Sequence, residues 1–330
     1  MKNKKYIFNF STFLAIFIFV FAFWGITDSS DWSGYEYWFS EQKSSDILFN
    51  YLSGKFISFG YKFRALYRLH IVLISLSFVY LFSICRVNKI LFTLIVLLFF
   101  YVEIGNQIRY YLAFPLTYIA YYYYLKKRYY FSSAFIIIAI LSHFGSLVIA
   151  CSLLIFSQLY RSKSLYKYIV LLSIFTYLLY FTGTNLDSRF NSYYHGTASI
   201  IGGIYLVIPP LISFSLIFRM HNNVSHILKY ETLYKYLFTS SIATSFLCLT
   251  AIQVLVIESR YLEPCLIFWL AYIIYIKKKN KSINLKKKCI NNISIIFLLY
   301  FSYRFIFPYI FIESEYVRKA MYMLSSYSLG

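Results

Sequence analysis

The sequence predicts an all-α protein that crosses a membrane many times and forms a single transmembrane domain, 1–330. Three observations carry this prediction: 60% of the residues are hydrophobic, only 13% are charged, and apolar runs long enough to span a bilayer recur along the chain. Backbone in lipid must satisfy its own hydrogen bonds, which leaves helices and closed barrels. The short alternating strands of a barrel are not seen in the sequence, so helices are expected.

About eleven segments are predicted to cross the bilayer, each ending at charged or turn residues. The first follows MKNKK and looks like a signal peptide, but its apolar stretch is too long and no small-residue cleavage site follows, so it is predicted to remain as a span. The predicted outer loops are 27–66 and 184–198, and a basic cytoplasmic loop covers 277–290. The predicted spans are 6–26, 67–85, 90–104, 106–125, 130–143, 144–160, 168–183, 199–218, 237–257, 261–276 and 291–312.

The distribution of charge predicts a cytoplasmic N-terminus. With that orientation, 21 of the 32 Lys and Arg residues fall in cytoplasmic loops, as the positive-inside rule requires, and Glu231 is the only one of the 12 acidic residues there. The net charge of +20 does not predict a nucleic-acid partner, because the basic residues are dispersed over loops at the bilayer surface. Attraction to anionic lipid headgroups accounts for them.

Ionisable side chains inside the predicted spans indicate a cavity, because burying them in hydrocarbon is costly. The helix from Lys89 to Gly105 is about 24 Å long and the one from Arg128 to His143 about 22 Å, both shorter than a hydrocarbon core of about 30 Å. Two hairpins, 90–125 and 130–160, are therefore expected to turn within the outer leaflet, and a third, 237–276, at ESRYLEP. The ionisable residues concerned are His70, Glu103, Arg109, His143, Glu258, Arg260, Glu263 and Arg304.

We predict that Arg109, His143 and Arg260 line an outward-facing cavity. Three basic groups suit a polyanion such as a pyrophosphate, which arginine binds through its rigid fork of donors. The alternative is purely structural: Arg109 pairs with Glu103, and Arg260 with a neighbouring glutamate, to hold the turns. In that case His143, in the small-residue context LSHFGS, is an ordinary packed histidine.

The outer loops offer acids and aromatic residues. Asp31 and Tyr35 are four residues apart, so on a helix they share one face and offer a carboxylate beside a ring, as a sugar-binding, acid/base surface requires. An ordinary interfacial helix with surface acids is the alternative. The second loop contributes Asp187, Arg189 and His195, and we expect it to close over the cavity as a lid.

Other chemistries lack their signatures. The five cysteines show neither CxxC nor Cys/His spacing, so no disulfide and no structural metal are predicted. The sequence has no P-loop, no glycine-rich dinucleotide motif, no HExxH and no GxSxG. Coupling to ATP and classical hydrolase chemistry are therefore unsupported, and no cofactor is expected.

Residues 108–150 resemble the EpsG/Wzy family of membrane polysaccharide polymerases. The resemblance consists of an Arg-led helix (IRYYLAF), a basic turn (KKR), and a short helix ending in a histidine followed by small residues (SHFGS). DWSGYEYWF, at 31–39, is similar to the family's Asp-x-x-x-Tyr stretch, and ESRYLEP to its late Arg-aromatic element.

The resemblance implies that the chain joins oligosaccharide repeats carried on undecaprenyl pyrophosphate into O-antigen or a similar polysaccharide, at the periplasmic face of the bacterial inner membrane. Arg109 and Arg260 would stabilise the leaving pyrophosphate without a metal, and His143 or Asp31 would take the acceptor proton. The lipid-linked substrate and the bilayer are the implied partners, together with a chain-length regulator and a flippase. The implied binding residues are Arg109, Arg260, Arg189, Tyr35, Tyr261, His195 and Gln107.

Three alternatives stay open. A multi-span glycosyltransferase that uses a lipid-phosphate sugar would depend on Asp28 or Asp31 more than on Arg109. A transporter of lipid-linked oligosaccharide often contains repeated halves, and the sequence shows no convincing internal repeat. The third alternative is a structural role within an envelope complex.

Overall fold

A computed structural model describes residues 10–44, 46–160, 200–224, 230–250, 255–279, 283–302 and 315–328, together with residues 167, 170, 174, 228 and 305. Within these residues the chain forms thirteen helices and no strand, which confirms the predicted all-α class. They are α1 (Phe10–Trp24), α2 (Trp32–Glu41), α3 (Ile47–Ser58), α4 (Phe63–Cys85), α5 (Lys89–Asn106), α6 (Ile108–Leu125), α7 (Tyr129–Ser142), α8 (Ser146–Leu159), α9 (Ile200–Asn222), α10 (Thr232–Thr250), α11 (Leu255–Lys279), α12 (Ile283–Phe301) and α13 (Glu315–Ser325).

Among the helices of the described residues, α4 and α5 are long and apolar enough to cross a membrane, and α1, α7 and α8 are shorter apolar helices. The count of eleven crossings stays a prediction. The chain divides into two compact units, one formed by Met1–Ala150 with Phe311–Gly330 and the other by Cys151–Ile310. The single transmembrane domain likewise stays a prediction.

In the first unit, α4 is central: it packs on α1, α5 and α6, and α6 packs in turn along α7. Successive long helices run in opposite directions. The C-terminal ends of α1, α5 and α7 therefore share one end of the unit with the start of α4 and α6, and with α2 and α3, which connect α1 to α4. We call this the α2–α3 end. The opposite end, which we call the basic end, carries the charged turns between α4 and α5 and between α6 and α7.

The breaks at the α2–α3 end have local causes. A single residue, Gln107 (φ −124°, ψ 50°), separates α5 from α6, so Arg109 lies in the first turn of α6. Helix α7 stops at Ser142 because His143 is extended (φ −162°, ψ 117°). Both breaks fall where the sequence predicts hairpin turns, and they place Arg109 and His143 at the same end of the unit.

The last residues of the chain return to the α2–α3 end. The Ser328 backbone N–H donates to the Gly25 carbonyl over 2.7 Å, and the Tyr327 hydroxyl donates to the Phe21 carbonyl over 2.6 Å. Met323, on α13, is 1% exposed and packs against Gly105 at the end of α5. We call residues 322–328 the C-terminal clasp.

In the second unit, the prediction of a turn at ESRYLEP is wrong. These residues, 258–264, lie inside α11, which continues unbroken from Leu255 to Lys279. Charged residues alone do not end a helix, since Glu and Arg have good helix propensity. The basic loop predicted at 277–290 is largely helical for the same reason, because α11 ends at Lys279 and α12 begins at Ile283.

Candidate functional site

An aspartate lies between the two predicted site residues of the first unit. Asp46 Oδ2 is 2.7 Å from Arg109 Nη1 and 3.5 Å from His143 Nδ1. Asp46 is only 4% exposed and Arg109 12%, whereas His143 is 25% exposed. We call Asp46, Arg109 and His143 the triad. It joins three elements, the start of α3, the start of α6 and the end of α7.

The backbone around Asp46 is held by a local network. Asp46 caps α3 with extended backbone (φ −96°, ψ 117°). The Asn50 side chain accepts from the Ser44 N–H at 2.9 Å and donates to the Ser44 carbonyl at 2.6 Å, while the Asp46 N–H donates to Ser44 Oγ at 3.1 Å. Ser44 Oγ also accepts a hydrogen bond from Arg109 Nη1. These hydrogen bonds hold Ser44 and the Asp46 backbone against the first turn of α3.

Aromatic rings surround the Arg109 guanidinium. Its Cζ lies 4.4 Å from the ring centroid of Trp38, 5.1 Å from that of Tyr35 and 5.5 Å from that of Phe49. The negative faces of such rings stabilise a cation, more strongly when the site excludes water. The charge of Arg109 is therefore supported by the rings as well as by Asp46.

Several buried polar atoms near Arg109 have no hydrogen-bond partner among the described residues. They are Asn106 Oδ1, Gln107 Oε1, Arg109 Nε and Tyr111 OH, all on the α5–α6 break or the first turn of α6. Buried polar groups are nearly always paired, so unpaired ones call for a water or a ligand. Unpaired buried polar atoms are therefore concentrated at the first turn of α6, next to Arg109.

The side chain of His143 is partly enclosed. The Tyr110 ring meets it edge-on with 5.6 Å between centroids. A Cβ at Gly145 would come within 3.1 Å of His143 Nε2, so only a glycine leaves the imidazole ordinary van der Waals space. The imidazole is thus oriented by Asp46 at Nδ1, and the lack of a side chain at Gly145 leaves space beside Nε2.

The triad can support acid/base chemistry beside an anion. A carboxylate at Nδ1 favours the tautomer with the proton on Nδ1, which leaves Nε2 free to accept a proton. With neutral His143, the charges of Asp46 and Arg109 cancel. When His143 takes up a proton, the group becomes positive by one unit, which favours negative charge developing nearby.

The structure brings some of the predicted site residues together. Arg109, His143 and Tyr35 meet at the triad, and Gln107 lies at the adjoining helix break. The predicted sugar-binding surface of Asp31 and Tyr35 stays a prediction. Asp31 is exposed at the N-cap of α2, while Tyr35 is buried. The reason is that the inward face of α2 is taken by aromatic packing, including Tyr35 against Phe49 and Phe63.

The remaining predicted residues belong to the second unit. Arg260 and Tyr261 lie in α11, but their side chains are outside the described part of the structure. Arg189 and His195, with the predicted lid, also lie outside the described residues. The cavity that was predicted to combine Arg260 with Arg109 and His143 stays a prediction.

Sequence reasoning missed Asp46 and Trp38. The carboxylate that pairs with Arg109 is Asp46, whereas the structural alternative considered from the sequence named Glu103. A signal was present: Asp46 precedes the apolar run ILF, a pattern typical of a helix N-cap. No group of three His, Cys, Asp or Glu side chains with metal-binding geometry is found where side chains are described.

Two described helices of membrane-crossing length, and an Arg–Asp–His group whose Arg109 and Asp46 side chains are shielded, indicate a membrane protein with a candidate active site in its first unit. Comparison with protein families gives the next step. The family model of the EpsG family matches residues 5–311, nearly the whole chain, so the chain belongs to the EpsG family. That family is associated with glycosyltransferase or polymerase activity in polysaccharide biosynthesis at membranes. Comparisons with curated proteins and with solved structures gave no match.

Proposed function

We propose that the chain polymerises oligosaccharide repeats carried on undecaprenyl pyrophosphate into O-antigen or a similar surface polysaccharide. The observation that carries the proposal is the position of the Asp46 carboxylate, 2.7 Å from Arg109 and 3.5 Å from His143 in an aromatic setting. Arg109 suits a diphosphate, and His143 suits a hydroxyl group. The reaction would take place at the periplasmic face of the bacterial inner membrane.

The proposed step is a direct displacement at the anomeric carbon of the donor sugar. The acceptor hydroxyl oxygen forms the new bond to that carbon while its proton passes to His143 Nε2. The bond from the carbon to the pyrophosphate breaks, and the lipid pyrophosphate leaves with the bonding electron pair. Direct attack inverts the anomeric configuration.

Each triad residue then has a distinct role. Arg109 stabilises the charge that develops on the leaving pyrophosphate, through donors that are not engaged by Asp46 and Ser44. His143 is the base, and Asp46 is a positioning residue that orients the imidazole and holds the guanidinium. The Trp38 and Tyr35 rings fix the Arg109 plane.

The geometry does not support the alternative function, a glycosyltransferase that depends on Asp28. The Asp28 carboxylate accepts hydrogen bonds from the Ser29 N–H and from the Tyr322 hydroxyl of the clasp. It is therefore engaged in holding the chain terminus. Asp31 as the base, the alternative to His143, is exposed at the start of α2.

The test is a reaction with purified full-length protein in nanodiscs and one defined lipid-linked repeat. We expect a ladder of multimers on a polysaccharide gel, with no nucleotide or metal added. Arg109→Ala and His143→Gln should each abolish the ladder while leaving the protein in the membrane. A normal ladder from either variant would remove that residue from the proposed site, and a requirement for a nucleotide sugar would overturn the proposed donor.

A further inference from the structure

A second feature of the first unit, at the basic end, is a pocket of about 490 Å³. It is bounded by the N-terminal part of α1, the C-terminal halves of α4 and α6, the start of α5 and the turn before α7. It lies at the opposite end of α6 from Arg109; Arg109 and the Lys126 cap are separated by about 26 Å of helix. The pocket is therefore separate from the triad.

Four basic residues line this pocket: Arg86, Lys89, Lys126 and Arg128. None of the thirteen described residues lining it is acidic. Like charges gathered around one cavity repel one another, and an anionic ligand relieves that repulsion. The pocket is thus suited to a phosphate group by charge.

The backbone at the ends of α4 and α6 positions basic residues beside the pocket. Helix α4 ends with Arg86 in the left-handed region (φ 56°), closed by bonds from the Arg86 and Val87 N–H groups to Ser83 and Phe82 carbonyls. Helix α6 ends in the same way with Lys127 (φ 58°). Glycine is the usual residue at such positions, because a side chain there is strained. These two turns place Arg86, and on either side of Lys127 the residues Lys126 and Arg128, at the pocket.

The lining has a polar part and an aliphatic part. At the polar part, Lys89 donates to Thr12 Oγ1, Tyr80 and Tyr123 share a hydrogen bond, and Lys126 Nζ lies 5.5 Å from the Tyr122 ring centroid. The aliphatic part of the wall consists of Ile16, Leu76, Val79 and Ile84. A soluble anion gains nothing from an aliphatic wall, whereas an amphiphile fills both parts.

We propose that this pocket binds an anionic membrane lipid, with its phosphate among Lys89, Lys126 and Arg128 and an acyl chain along the aliphatic wall. Basic pockets between helices at the membrane surface recognise such headgroups. The site differs from that of the polymerisation substrate, and the proposal stands independently of the polymerase function. The glycerophospholipid of the leaflet that faces the basic end is the expected occupant.

The test uses full-length protein in detergent and native mass spectrometry with added lipid. Phosphatidylglycerol should bind more tightly than phosphatidylcholine with the same acyl chains. The double variant Lys126→Gln/Arg128→Gln should weaken phosphatidylglycerol binding by about tenfold or more, since each basic group near a headgroup contributes about a factor of five. The matched control, Lys286→Gln/Lys287→Gln, removes two exposed charges from α12 and should leave the affinity unchanged.

Lys89→Gln, on a different wall of the pocket, serves as a second variant if the double variant does not fold, and it should weaken binding in the same direction. Equal loss in the α12 control would overturn the proposal, because the effect would then be one of general surface charge. Equal affinity for phosphatidylcholine would also overturn it. Inorganic phosphate that binds the lipid-free protein as tightly as phosphatidylglycerol would show that the site takes a free anion instead.

Discussion

The Oδ2 atom of Asp46 lies 2.7 Å from the Nη1 atom of Arg109, and the two side chains are 4% and 12% exposed. A pair this well shielded is costly to break, because the partner that remains is a buried charge without compensation. It also controls the orientation of His143, which shares the same oxygen. The predictions below separate these effects.

Asp46→Asn should lower the free energy of unfolding by about 3 kcal/mol and the polymerisation rate by at least about a hundredfold, because Arg109 loses its charge partner and His143 its orientation. Thermal unfolding and the in vitro ladder measure the two effects. The control is Glu41→Gln, since Glu41 pairs with Lys43 in solvent (side chains 46% and 64% exposed) and should change neither quantity. Full activity in the Asp46 variant would contradict its positioning role.

Gly145→Ala should reduce the rate while leaving binding of the lipid-linked substrate nearly unchanged. The added Cβ would lie 3.1 Å from His143 Nε2 and 3.2 Å from His143 Cδ2, so the imidazole must shift from the position set by Asp46. We expect a loss of about tenfold or more, as for small misplacements of a reacting group. Gly34→Ala, where nothing lies within 4 Å of the new Cβ, is the matched control and should retain the parental rate.

Trp38→Ala should weaken the function of Arg109 without removing its charge. The ring centroid lies 4.4 Å from the guanidinium carbon, and such contacts contribute about 0.5–2 kcal/mol, so the rate should fall by about 2- to 30-fold. Trp38→Phe should recover part of this loss. Trp24, whose centroid lies 4.7 Å from the carbon of the Arg68 guanidinium, offers the control, since Trp24→Ala removes an equivalent contact away from the triad. Equal losses at both positions would mean that the Trp38 effect is structural.

Gly25→Val should release the C-terminal clasp. The new side chain would overlap the Tyr327 ring, which is 2.5 Å from an ideal Cβ at this position. Limited proteolysis should then cut within residues 322–328 faster than in the parent, and Gly34→Val, which adds the same side chain on open surface, should not change the cleavage. Unchanged proteolysis of the Gly25 variant would show that the clasp tolerates the substitution.

The sequence was informative where its apolar runs were regular. The ends of α4 to α8 lie within about four residues of the predicted spans, because charge and turn residues interrupt otherwise continuous apolar segments. The meeting of Arg109 and His143 followed from the same reasoning, since both adjoin turns at one end of short helices. Charged residues alone did not predict helix ends: ESRYLEP lies inside α11, although its last residue, Pro264, is of the type that usually kinks or ends a helix.

Asp46, the partner of Arg109 and His143, was not predictable in the same way. Asp46 reaches Arg109 because the segment before α4 folds into α2 and α3 and turns back over α6 and α7. Tyr35 packs against both Phe49 and Phe63 along that path, and no periodic pattern in the sequence reveals these contacts. Contacts between distant segments are chosen by tertiary packing, so the chemistry of the site emerged only with the fold.

The clasp also bears on how the protein is made. Thr27 donates to the carbonyl of Ser326, a bond between residues 299 positions apart, and its neighbours tie the same two regions together. During translation, residue 27 leaves the ribosome long before residue 326 is synthesised. During biogenesis, the α2–α3 end, which carries the triad, therefore stays incompletely closed until the chain between residues 27 and 326 has been made.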